Sequence, residues 1–111
     1  MRRTSRLDIG RSKEIRDEVK SFARKLARAF RVKNIYMFGS FARGDYSEAS
    51  DIDLLIIGDF PGNIMDRYAS VRGLTKLPIE PFCYTQDEVE EMKKDKNPLL
   101  MNALRGERIY P

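Results

Sequence analysis

Gly39-Ser40-Phe41-Ala42-Arg43-Gly44, then Asp45 to Ser50, then Asp51-Ile52-Asp53-Leu54-Leu55-Ile56-Ile57 is the stretch on which the rest of the chain turns. The short apolar run from Asn34 to Phe38 reads as a strand ending at Gly39, and Asp51 to Ile57 reads as a second strand closed by Gly58. Gly39 has no Cβ, and Ser40 opens a helical turn whose free backbone N–H groups can meet an anion. Taken alone, a Gly-Ser pair more often just caps a helix. Asp51 and Asp53 lie two apart on the expected strand, so both project from one face while Ile52 turns into the core. Two carboxylates on one face repel each other, an arrangement that makes sense if they share a hard divalent cation such as Mg²⁺. An isolated Asp-x-Asp is ordinarily a solvated strand start, but the four branched apolar residues that follow set these acids at the mouth of a buried strand.

Outward from this centre, Ile15, Val19, Phe22, Leu26 and Phe30 recur at steps of three and four, predicting an amphipathic helix over 12–31 with Ser12 as its N-cap. Asp59-Phe60-Pro61-Gly62 has turn chemistry, after which Ile64, Tyr68, Val71 and Leu74 predict a second long helix. Ile79 to Tyr84 reads as a third strand, with Pro81 arguing for a sheet edge or a strand end. Thr85 and Glu88 have capping-box spacing and open a short helix, and Asn97-Pro98 caps a last helix stopped by Gly106. Helix, strand, strand, helix, strand, helix, helix is an α/β (α+β) pattern: a small mixed sheet of three or more strands flanked by helices.

A chain of 111 residues accommodates one domain, and 41% hydrophobic with 34% charged residues excludes both disorder and a membrane span. The charged residues after Met1-Arg2-Arg3 replace the apolar core of a signal peptide, so the expected location is cytoplasmic. With Cys83 as the single cysteine and no histidine, zinc sites and Ser-His-Asp or Cys-His nucleophile pairs are excluded. Any metal is expected to have oxygen ligands, and acid–base work falls to carboxylates, Lys, Tyr or Ser. Cys83 and the scattered Tyr and Phe residues read as core. Residues 1–33 carry 12 Lys and Arg against 4 Asp and Glu, whereas 34–111 carry 9 against 13. Such a basic segment can neutralise nucleic-acid phosphates, or it is simply the solvated face of an amphipathic helix.

Gly39-Ser40, ten intervening residues and Asp51-x-Asp53, with the flanking Ser50 and the Leu-Leu-Ile-Ile run, resemble the signature of the DNA polymerase β-like nucleotidyltransferase superfamily, in particular its minimal members. The similarity extends more loosely over residues 34–110. It implies a palm-like catalytic core at 34–111 behind the basic segment and helix of 1–33. It also implies Mg²⁺, as two ions, held by Asp51 and Asp53, and an NTP such as ATP as substrate. Gly39 and Ser40 would cradle its phosphates and Arg43 would lie near the triphosphate. A third carboxylate is implied on the next core strand, where the only acid is Glu80. The family more often has Asp there, and the extra methylene alters base positioning. The implied reaction moves AMP to a hydroxyl on a partner. In minimal members that partner is often a HEPN-domain toxin, with the nucleotidyltransferase as its antitoxin. The rival expectation is a non-catalytic binding module that keeps the fold.

Overall fold

The structure, a computed structural model, describes residues 12–47 and 50–111. The basic residues Arg2, Arg3, Arg6 and Arg11 therefore lie outside it. In chain order the elements are α1 (Ser12–Phe30), β1 (Val32–Phe38), α2 (Gly39–Arg43), β2 (Ile52–Gly58), α3 (Ile64–Arg72), β3 (Ile79–Tyr84), α4 (Gln86–Lys94), α5 (Pro98–Leu104) and β4 (Glu107–Tyr110). The strands form one mixed sheet in the order β3-β2-β1-β4. β1 pairs antiparallel with both β2 and β4, and β2 pairs parallel with β3.

β2 is central and covered on both faces, which is why its sequence is a continuous apolar run and not an alternation. Ile52, Leu54 and Ile56 pack into a core with Val19, Phe22 and Leu26 of α1 and Val71 of α3. Leu55 and Ile57 pack on the other side with Val89 of α4 and Leu100 and Ala103 of α5. Of the stripe expected on α1, Ile15, Val19, Phe22 and Leu26 are buried and Phe30, at the helix end, is partly buried against the same core. Pro81 sits in β3, the sheet edge, where a missing ladder donor is tolerated. Among the described residues no helix is long and apolar enough to cross a membrane.

The structure departs from the expected elements in five places, the first being that β1 begins at Val32 and not at Asn34. Asp51 precedes β2, which begins at Ile52. The second helix is only nine residues and stops at Arg72, so Leu74 lies beyond it, 40% exposed. Ser12 is the first residue inside α1. The chain also ends in a strand, β4, too short and too charged to show periodicity.

α3 is fastened by a buried cation. Arg67 is 7% exposed, and its Nη1 donates to Glu88 Oε1 at 2.7 Å and to the Cys83 carbonyl at 3.3 Å, while Nη2 donates to the Gly62 carbonyl at 2.9 Å. Glu88 also closes the α4 capping box with Thr85. Arg67→Ala orphans two carbonyls and a carboxylate at once, so chemical denaturation should show a loss of about 3 kcal/mol. Arg67→Met, which keeps the aliphatic stem, should lose less.

Candidate active site

The loop after β1 and the starts of β2 and β3 meet at one end of the sheet. Phe38 is the register partner of Asp53 on one side, and Glu80 is its partner on the other. Register partners on adjacent strands point to the same face, so Asp53 and Glu80 stand side by side. Asp51, one residue before β2, is exposed at the mouth of this row.

Burial, then the charge of Glu80, then that of Asp51 push the Asp53 carboxyl from 3.8 up to about 6, with Arg43 acting the other way. All four groups therefore lie within one another's field. Tyr68 on α3 joins them. Its hydroxyl is pushed up by burial, by the charge of Glu80 and by a hydrogen bond to the Glu80 carboxylate. The sequence suggested a core tyrosine, but Tyr68 is half-buried beside the carboxylates. Cys83 behaves as expected of a core thiol: it is 2% exposed, and burial raises it to about 12.

Gly39 is the second constraint. Its φ is +81°, and a Cβ there would overlap Asp53 Oδ2. Only glycine combines that backbone with so close an approach to the carboxylate. Gly39 opens α2, whose N-cap residue Phe38 offers no side-chain hydrogen bond, so no side chain caps the first-turn N–H groups. The far end of α2 is tied down by Arg16 of α1. Its Nη2 donates to the Ala42 carbonyl at 2.9 Å and its Nη1 to Glu107 Oε1 at 2.8 Å, with the guanidinium 5.4 Å from the centre of the Phe41 ring. One arginine of the basic helix thus braces the Gly39–Ser40 turn.

Arg43, in the last turn of α2, donates from Nε to Asp45 Oδ2 at 3.3 Å and remains exposed. A groove of about 360 Å³ opens beside Gly39, bordered by Arg43 on α2 and by Asn102 and Arg105 at the end of α5. Arg105 is a candidate that sequence reasoning missed; it lies just before Gly106, and only the fold brings it beside Arg43.

Among the described residues no three Asp, Glu or Cys side chains are gathered tightly enough to hold a metal ion by themselves. The donor chemistry nevertheless suits a hard cation. Asp51, Asp53 and Glu80 supply only oxygen, and burial together with the charges of Glu80 and Asp51 raises the Asp53 carboxyl, with Arg43 opposing. Mg²⁺ normally takes one or two carboxylates and completes its shell with water and substrate phosphates, so a preformed cage is not required.

Over residues 13–108 the chain matches the nucleotidyltransferase domain family. It belongs to that family. Two relatives from Methanocaldococcus jannaschii, provisionally named protein adenylyltransferases MJ1217 and MJ0126, are 42% and 28% identical to it. Each match covers 87% of this chain and 94% of the relative. A third, the similarly named MJ0604, is 54% identical over 43 residues, a match spanning 43% of that relative's length. The crystal structure of a provisionally assigned nucleotidyltransferase from Sulfolobus solfataricus superposes with a TM-score of 0.59 at 27% identity, covering 75% of this chain and 78% of the other. The enzyme is therefore a nucleotidyltransferase with the four-stranded mixed sheet in place.

The raised pKa of Asp53 carries a stability consequence for this nucleotidyltransferase. Its ionised form is disfavoured in the fold, so its cost is absent below pH 3.8, grows up to about pH 6 and stays constant above. Removing that charge should be stabilising at neutral pH. In buffer free of divalent cations, Asp53→Asn should gain about 1–2 kcal/mol at pH 7, after allowance for solvent screening, and nothing at low pH. Denaturation curves across this range check it, and a variant less stable than wild type at pH 7 would contradict the electrostatic assignment.

Proposed function

We propose that this nucleotidyltransferase moves AMP from ATP to a hydroxyl on a partner protein. The observation that carries the reading is the row in which Asp53 stands beside Glu80 and under Gly39, against the uncapped start of α2. In this reading the amides of Gly39 and Ser40, with the Ser40 hydroxyl, hold the β- and γ-phosphates and set pyrophosphate to leave in line with the attacking oxygen. Arg43 offers its guanidinium to the phosphate oxygens. Glu80 accepts the proton of the acceptor hydroxyl as the bond to the α-phosphorus forms, and Tyr68 holds that carboxylate in place. Asp51 and Asp53, with Glu80, would hold Mg²⁺, as one ion or two. When bound, the cation offsets phosphate charge and orients nucleophile and leaving group.

ATP as donor and a protein as acceptor draw support from the names of the M. jannaschii relatives. The resemblance to minimal family members adds a more specific proposal: the partner is a HEPN-type toxin and this chain its cytoplasmic antitoxin.

The test incubates the chain with Mg²⁺, α-labelled ATP and the protein that co-purifies with it from its native source. Mass spectrometry should place a nucleotide on a side-chain hydroxyl of the partner. Asp51→Asn combined with Asp53→Asn should give none, and Glu80→Gln should keep ATP binding while lowering transfer by about 10²- to 10⁴-fold. Equal inhibition of the partner by the doubly substituted chain, without label, would make the protein a binding module. Label on RNA would keep the reaction class and remove the protein acceptor.

A further inference from the structure

A second groove lies away from the carboxylates. It holds about 750 Å³ between α1 and the segment that follows α3, and Arg24, Lys25 and Arg28 line one wall while Leu74, Lys76 and Leu77 line the other. The two ends of α1 differ in how their cations are used. In its first half, Lys13 pairs with Asp17, and Arg16 and Lys20 pair with Glu107. In its second half Arg24, Lys25 and Arg28 form no ion pair among the described residues, and neither does Lys76 across the groove. Proximity to the helix C-terminus accounts for Arg28. It does not account for Arg24, which stands one turn from it with like charge, or for Lys76 on a separate element.

The second wall is built to keep its shape. Gly73 and Leu74 donate back into the last turn of α3, and the Leu77 amide donates to Thr75 Oγ1 at 3.1 Å. That wall also runs straight into the catalytic row. The Pro78 carbonyl accepts from the Ile52 amide at 2.8 Å, between Asp51 and Asp53, and two residues later the strand presents Glu80. The groove's second wall is thus continuous in chain with the strand that carries Glu80.

Its chemistry is mixed. Four cations outweigh Glu18, the one acid on the lining, and ask for an acidic occupant, while Leu74, 40% exposed, asks for an apolar side chain. Phe22, the aromatic ring on the lining, is 6% exposed and offers no face on which a base could stack. Charge complementarity and the apolar wall favour a protein segment over a nucleic acid.

We propose that this groove docks an acidic segment with at least one apolar side chain, belonging to the protein that carries the acceptor hydroxyl. The inference rests on the transfer reading above and gives that reaction a substrate-selecting surface outside the catalytic row.

Fluorescence anisotropy on the full chain tests it with four labelled probes: a peptide alternating Glu and Leu, a Glu-only peptide, a Ser-Leu peptide and single-stranded polyuridine. The Glu-Leu peptide should bind best, and salt should weaken it. Arg24→Glu combined with Arg28→Glu should weaken it by about tenfold or more, and Leu74→Ser by several-fold, with ATP binding unchanged in both variants. The substituted positions are exposed, so circular dichroism should show the wild-type fold. Equal binding by wild type and the charge-reversed chain overturns the proposal. So does equal or tighter binding of the Glu-only peptide or the polyuridine, which would mark a general polyanion surface. If the peptide pattern holds while no nucleotide is ever transferred, docking stands and the transfer reading falls. If nucleotide is transferred while the peptide pattern fails, the transfer reading stands and docking falls.

Discussion

Asp53 sits where two strand pairings cross, opposite Phe38 on β1 and opposite Glu80 on β3. β2 is fixed to both neighbours at once, and slipping its register by one residue would turn Asp53 to the opposite face, into the core beneath α1 and α3. The hydrophobic effect therefore sets the position of a polar row. Ile52, Leu54 and Ile56 fill one face completely, which leaves Asp53 to the other face and beside Glu80. Gly39 completes the constraint, because the next segment can pass over Asp53 only if it carries no side chain.

The same row makes the site electrostatically unfinished. Negative charge gathers where burial has already raised the cost of ionisation, while the first-turn amides of α2 and the guanidinium of Arg43 stand close by. In the proposed reading, a cation with a polyphosphate answers both demands. Buried charge elsewhere is handled differently: Arg67 is closed off by Glu88 and two carbonyls and ties α3 to β3, to α4 and to the turn at Gly62. Arg16 stands between these extremes, since it fastens the C-terminal end of α2 through the Ala42 carbonyl.

What the sequence disclosed follows from the range of the interactions. The α1 stripe and the apolar run of β2 repeat over few residues and were legible, as were the capping box at Thr85 and the edge position of Pro81. Periodicity carried the second helix too far, through Leu74, because the turn at Gly73 leaves an exposed leucine in helical phase. β4 gave no signal, since Glu107 and Arg108 fill half of it and its pairing with β1 is interrupted by a register shift. Pairing between Asp53 and Glu80 is a matter of strand order and could not be read locally; Glu80 was singled out through resemblance alone. Tyr68, Arg105 and the bracing by Arg16 depend on contacts between distant segments, and nothing in their neighbourhoods marks them.

The central claim is that the carboxylate row and the start of α2 together form one cation-dependent nucleotide site. Crystals grown with Mn²⁺ and a non-hydrolysable ATP analogue test it most directly, because anomalous scattering locates the ion independently of the nucleotide. The account predicts an anomalous peak at Asp51 and Asp53 with the β- and γ-phosphates on the amides of Gly39 and Ser40. An ordered nucleotide bound elsewhere on the chain, with no ion at these two carboxylates, would contradict it.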